Sequence, residues 1–162
     1  EGAVAAIRWA NAHGYLVIVV TNQSGVARGY YDEAAVLRLH DWMNAQLTKY
    51  GAHIDAFYYC PHHPEAAVPA YRQRCDCRKP APGMILRAIA AHGIDPAASF
   101  LFGDGARDVA AAEAAGVRGV RYTGGSLLDC VRGAVESSIT NGNENEADTE
   151  EFCKNQRGGD PF

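Results

Sequence analysis

The chain has 162 residues, 48% of them hydrophobic and 21% charged, which is enough for one domain with a core of its own. No stretch reaches the roughly 20 apolar residues of a membrane span, and residues 1–14 have no basic start, apolar middle or cleavage site of a signal peptide; a cytoplasmic protein with no membrane partner is expected. The formal net charge of −4 belongs to residues 137–162, where six acidic residues face only Lys154 and Arg157, so the first 136 residues sum to zero and offer no basic face for nucleic acid.

Gly2 to His13 reads as a helix, with Val4 and Ile7 at helical spacing and Gly14 as its stop. It opens without a start methionine or a cap, and the expectation is that sequence upstream of it is missing. Tyr15 to Val20 is a continuous apolar, β-branched run, the pattern of a strand buried on both faces of a parallel sheet. Thr21-Asn22-Gln23-Ser24-Gly25 follows, placing hydroxyl, amide and backbone N–H groups at the carboxyl edge of the sheet, where open α/β folds bind ligands. Polar turns after strands are also ordinary. Asp32 can cap a helix from Glu33 to about Tyr50, with Val36, Leu39, Met43, Leu47 and Tyr50 as its apolar stripe and Gly51 after it.

Ile54 to Tyr59 is a second strand, and it delivers Cys60 into the most specific signal of the chain. Cys60, His62, Cys75 and Cys77 form a Cys-x-His, twelve-residue gap, Cys-x-Cys pattern, which supplies three thiolates and one imidazole for a closed tetrahedral Zn²⁺ site of the structural kind. His63 is the alternative imidazole, and the spacing favours His62. With an odd cysteine count and three of the five at ligand spacing, a disulfide framework is the weaker reading, and Cys130 reads as a small buried hydrophobe. Arg78 and Lys79 come directly after the last ligand, as cations that a rigid loop would hold over an anion.

Pro82 suits the first turn of a helix to about His92, with Ile85, Ala88 and Ile89 inward and Gly93 as its stop. Ser99 to Phe102 is a short strand leading into Gly103-Asp104-Gly105-Ala106-Arg107-Asp108. Two carboxylates four residues apart at a helix start can hold Mg²⁺; equally, Asp104 can cap the helix and Asp108 can favour its dipole. A helix from Val109 to Ala115, Gly116, and a strand from Gly119 to Tyr122 complete the pattern. Alternating strands and helices imply a parallel sheet between helices. From about Ser137 the composition turns polar and acidic, and a disordered tail over 137–162 is expected.

Val19 to Gly25, the Cys60/His62/Cys75/Cys77 clamp, Cys77-Arg78-Lys79-Pro80-x-Pro82-Gly83, and Gly103-Asp104 with Asp108 together resemble the haloacid dehalogenase superfamily of phosphatases, in its zinc-loop branch, over about residues 1–135. The resemblance implies a Rossmann-like parallel sheet with helices on both faces. It further implies a Mg²⁺-dependent phosphomonoester hydrolase working through an aspartyl phosphate on a small phosphorylated sugar, here a heptose 1,7-bisphosphate losing its 7-phosphate, with histidinol phosphate as the alternative substrate, and a monomer is expected as the working form. In that family Thr21 and Asn22 would hold the phosphoryl group, with Gln23 and Ser24 lining the same loop. Lys79 would stabilise its charge, Arg78 would recognise the substrate, Asp104 would ligate Mg²⁺ and Asp108 would support the metal or Lys79. Arg28 would reach a second anionic group. The family also requires an Asp-x-Asp loop after a first, central strand, and no such loop occurs in the 162 residues. Gly105 stands where relatives carry a basic residue. The domain is therefore expected to be N-terminally incomplete over 1–136 and inactive by itself. A non-catalytic zinc-binding module derived from the same fold is the reading from another class.

Overall fold

The computed structural model describes residues 2–140. The first helix, α1 (Ala3–Ala12), precedes β1 (Ile18–Asn22), a single turn α2 (Ser24–Ala27) and the long α3 (Glu33–Thr48). Next come β2 (Ala56–Cys60), a 3-10 turn at Pro69–Tyr71, α4 (Gly83–His92), β3 (Phe100–Gly103), α5 (Ala106–Ala114), β4 (Arg118–Arg121) and α6 (Leu127–Thr140). All strand pairing is parallel: β1 pairs with β2, Ile18 opposite Ala56 through Asn22 opposite Cys60, and β3 pairs with β4, Phe100 opposite Arg118.

The two pairs are not hydrogen-bonded to each other. The break falls where the resemblance puts a first, central strand. It also accounts for a difference in β1, whose residues are all partly exposed rather than buried. A strand paired along one edge leaves its other edge uncovered. The strand also begins later than the apolar run: Tyr15 to Val17 approach it as extended chain, and Thr21 and Asn22 are its last two residues.

Successive side chains of a strand point to opposite faces, and β1 distributes its neighbours accordingly. Val19 packs with Ile7 of α1, Met43 and Leu47 of α3, and Ile54. Val20 packs on the other side, against Ile85 of α4 and Ala111 and Ala112 of α5. In the second pair Leu101 joins that same α4/α5 cluster, while Phe100 and Phe102 meet Cys130 and Ala134 of α6. Helices therefore lie on both faces, as the alternating pattern implies.

On α3 the buried stripe is Val36, His40 and Leu47, whereas Leu39 and Tyr50 are exposed. His40 stacks on Phe57 at 4.2 Å between ring centroids, a partner one apolar stripe cannot reveal. Burial holds its imidazole below the ordinary pKa. Asp32 caps α3 as expected, its Oδ1 accepting from the Ala35 N–H at 2.7 Å. Ser137 to Thr140 belong to α6, so the helix runs through the point where a tail was expected to begin. The rest of the acidic stretch lies outside the described residues.

Met84 of α4, 1% exposed, packs against the Cys60 and Cys77 side chains. Met84→Ala should lower stability by about 3 kcal/mol through lost contacts and an unfilled cavity, read as a shift in urea midpoint at unchanged slope; a shift corresponding to less than about 1 kcal/mol would show that the surroundings collapse to fill the space.

Candidate active site

The four metal-type residues converge. One donor atom from each of Cys60, His62, Cys75 and Cys77 lies within 4.8 Å of all the others. Cys77 Sγ is 3.0 Å from Cys60 Sγ and 3.2 Å from Cys75 Sγ, Cys60 and Cys75 are 3.5 Å apart, and His62 Nδ1 is 3.4 Å from Cys77 Sγ. Tetrahedral Zn²⁺ with Zn–S bonds of about 2.3 Å would space its sulfurs by about 3.8 Å, so the donor set fits the ion with a slight expansion. Burial pushes the Cys60 and Cys77 thiols up, and thiolates packed this closely call for a cation among them. His63 is not part of the cluster; its Nδ1 accepts from the Glu65 N–H at 3.1 Å.

Several bonds hold this loop together and fix it to the segment that follows β1. Gln23 N–H donates to the Cys60 carbonyl at 2.8 Å, Val68 N–H to the Ala27 carbonyl at 3.0 Å, and Arg78 Nη1 to the His62 carbonyl at 3.4 Å. On the opposite side, Tyr59 and Tyr71 both donate to the Glu33 carboxylate, at 2.6 and 2.7 Å, tying β2 and the loop to the start of α3. The hydrogen bonds from Tyr59 and Tyr71 keep Glu33 below the usual carboxylate range, and the bond to Glu33 pushes Tyr59 up to about 12.

Lys79 is the junction of the site. Its backbone N–H donates to Asn22 Oδ1 at 3.0 Å and its carbonyl accepts from Asn22 Nδ2 at 3.1 Å, a reciprocal clasp across 57 residues. Its Nζ donates to the Val20 carbonyl on β1 at 2.7 Å and pairs with Asp108 Oδ1 at 2.7 Å. One ammonium thus spans the break between the two strand pairs. An ammonium has three donors, so one remains for an incoming anion.

Asp108 Oδ2 accepts from the Gly105 N–H at 3.0 Å, so Asp108, not Asp104, satisfies the first turn of α5. Burial would raise its pKa, but the hydrogen bonds from Lys79 and Gly105 and the charges of Lys79 and Arg107 outweigh it and hold the carboxyl below its ordinary value. A side chain at Gly103 would overlap that of Asp108, which is why the strand ends in glycine. Asp104 is exposed beside this pair, with its carboxylate open to solvent. Mg²⁺ takes one or two protein carboxylates and fills its shell with water and phosphate oxygens, so Asp104 fits as one ligand of such an ion. Among the described residues, no further acidic group gathers with it into a cluster.

Of the other residues singled out in the sequence, Thr21 accepts from Gln23 Nε2 at 3.2 Å and Ser24 opens α2, whereas Arg28 is exposed on the surface. A pocket of about 300 Å³ between β2 and α4 is lined by Phe57, Tyr59, Met84 and Arg87 and by His62 and Cys77 of the cysteine cluster, and Lys79 is not among its lining residues. The residues that sequence reasoning missed are Glu33 with its two tyrosines, Met84, and the helix α6. The last had a signal: Ser126-x-x-Asp129 before an apolar stripe, and Ser126 Oγ does accept from the Asp129 N–H at 3.2 Å.

Residues 76–136 match a family model described as HAD-hydrolase-like. The chain is 51% identical over 123 residues to the D-glycero-beta-D-manno-heptose-1,7-bisphosphate 7-phosphatase of Rhodopseudomonas palustris, covering 76% of this chain and 68% of that protein. It is 47% identical to the enzyme of the same name from Pasteurella multocida, over 73% of this chain and 64% of the other. The chain thus spans about two thirds of the length of these relatives. Among solved structures, D,D-heptose 1,7-bisphosphate phosphatase from B. bronchiseptica, complexed with magnesium and phosphate, superposes with a TM-score of 0.68 at 30% identity, covering 95% of this chain and 80% of that one. No helix among the described residues is long and apolar enough to cross a membrane. With the cysteine clamp, the Lys79 junction and these likenesses in place, the chain belongs to the haloacid dehalogenase-like phosphatases, in the branch of the heptose-1,7-bisphosphate 7-phosphatases.

Proposed function

We propose that these residues form the phosphate-facing wall of a phosphatase that removes the 7-phosphate from D-glycero-D-manno-heptose 1,7-bisphosphate, acting in the cytoplasm as a monomer. The observation that carries the reading is Lys79: a cation, 12% exposed, tied to the middle of β1 and to the first turn of α5 with one donor left over. Preorganised charge of this kind stabilises a phosphoryl group's oxygens as they are transferred, because the site does not have to reorganise when the charge develops. Thr21, with Gln23 and Ser24 lining its loop, faces the same group. Asn22 contributes chiefly by fixing the Lys79 backbone, since its amide oxygen and one N–H are already engaged there. Arg78 binds the substrate from the zinc loop. Cys60, His62, Cys75 and Cys77 hold Zn²⁺ as a structural staple. Asp104 would hold Mg²⁺, which when bound neutralises phosphoryl charge, and Asp108 aims Lys79.

The nucleophile that the family uses, the first aspartate of an Asp-x-Asp loop, is not among these residues. The test is therefore to place a segment carrying that loop upstream of Glu1 and measure Mg²⁺-dependent release of inorganic phosphate from heptose 1,7-bisphosphate and from histidinol phosphate in parallel. Release from the heptose bisphosphate that is lost in Lys79→Ala is expected. Preference for histidinol phosphate, or no release from either, would overturn the assignment.

A further inference from the structure

Tyr31 lies outside every motif above, yet it is wired to the phosphate loop. Its hydroxyl donates to Gln23 Oε1 at 2.8 Å, and Gln23 Nε2 in turn donates to Thr21 Oγ1 at 3.2 Å. The tyrosine ring lies over Gly25, where a methyl group would overlap the ring and its hydroxyl oxygen. A side chain at Gly25 would therefore displace the Tyr31 ring, which lies, 41% exposed, at the rim of the loop.

The direction of this short chain of bonds matters. A hydroxyl has one proton and two lone pairs, and an amide has a donor end and an acceptor end. With Tyr31 donating to the amide oxygen, the amide nitrogen is turned toward Thr21, and Thr21 Oγ1 is used as an acceptor. Its own proton is then left for another acceptor. If the amide were reversed, Thr21 would spend that proton on Gln23 and would present lone pairs to an arriving anion.

We propose that Tyr31 is a positioning residue for the phosphatase reaction: through the Gln23 amide it sets the Thr21 hydroxyl as a donor toward the phosphoryl group. The inference rests on the functional reading above. It assigns no contact between Tyr31 and the reacting atoms.

The test is a double-mutant cycle on the protein containing these residues together with the upstream Asp-x-Asp loop, using Tyr31→Phe, Thr21→Val and the pair. Inhibition by inorganic phosphate is measured alongside kcat and KM for heptose 1,7-bisphosphate. Phenylalanine keeps the ring on Gly25 and removes only the hydroxyl, so the fold is preserved; matching thermal midpoints check this. A hydrogen bond to a charged group is lost only in part, and Tyr31→Phe should weaken phosphate inhibition and lower kcat/KM by about 5- to 10-fold. In the Thr21→Val background the same change should have no further effect, because the relay has no end left to set. Equal effects in both backgrounds, or none in the parent, overturn the inference while leaving the phosphatase reading intact. A parent that releases no phosphate overturns that reading and this inference with it.

Discussion

Replacing Cys77 with serine, or treating the protein with a strong chelator, is expected to remove bound zinc and to unfasten the segment from Cys60 to Gly83. Structural zinc sites contribute apparent binding energies on the order of 10 kcal/mol or more, comparable with the whole stability of an ordinary domain. The segment that would bear the metal is not peripheral. Cys60 and Cys77 are buried against Met84, and the same segment carries Arg78 and Lys79. Without the ion, three thiols and an imidazole are left in a space where burial raises two of the thiols, so the cluster must reprotonate and loosen. Elemental analysis should find about one zinc per chain in the parent and close to none in Cys77→Ser, and the thermal midpoint should fall by more than about 10 °C. His63→Ala is the control: its ring accepts from Glu65 N–H and contributes no donor atom to the cluster, so zinc content should be unchanged. A parent that melts identically with and without chelator would rule out a structural role for the metal.

The cluster was legible in the sequence because all its information is local. Two short-spaced pairs, one at the end of a strand, place four soft donors on a single loop, and no distant part of the chain has to be known. The strand and helix order was legible for a similar reason: β-branched runs, Asp32 as a cap and Gly51 and Gly93 as stops each act within a few residues. The Lys79 junction was only half legible. Lysine after the last cysteine, and a polar loop after β1, can each be read directly, but the clasp between Asn22 and Lys79 and the bond from Nζ to the Val20 carbonyl join residues 57 and 59 positions apart. Nothing in either segment specifies the other. The roles of the two aspartates were similarly divided by tertiary structure, since spacing makes Asp104 and Asp108 equivalent while the fold buries one against Lys79 and leaves the other in solvent. On α3, the apolar periodicity selected Leu39, whereas the fold exposes it and buries His40. Phe57 accounts for the difference, because it offers a flat aromatic face to the His40 imidazole.

Asp108→Ala should destabilise the protein more than its small change in volume suggests. The Lys79–Asp108 pair is 12% and 6% exposed, and removing one partner of a buried pair leaves an uncompensated charge at a cost of about 3 kcal/mol. Lys79→Met/Asp108→Ala together should recover part of that loss, because neither charge then remains; denaturant midpoints of the parent, both single variants and the double variant give the coupling directly. The pH dependence has a definite sign. Asp108 titrates below its ordinary value in the folded protein, so the stability it contributes is fully present above about pH 4, the unfolded carboxylate range, and is lost as pH falls through the lower folded value. The parent should therefore lose stability on acidification more steeply than Asp108→Ala, whose curve lacks that contribution. In the protein carrying the aspartate loop, Lys79→Met should lower kcat by about 10²- to 10³-fold, the scale for removing one preorganised charge at a developing anion. Asp108→Asn separates aim from charge: the amide can still accept from the lysine, so kcat should fall less than with Lys79→Met. Additive stabilities in the cycle would mean that the two side chains do not act as a pair, leaving Lys79 fastened only to β1, through the Val20 carbonyl and the Asn22 clasp.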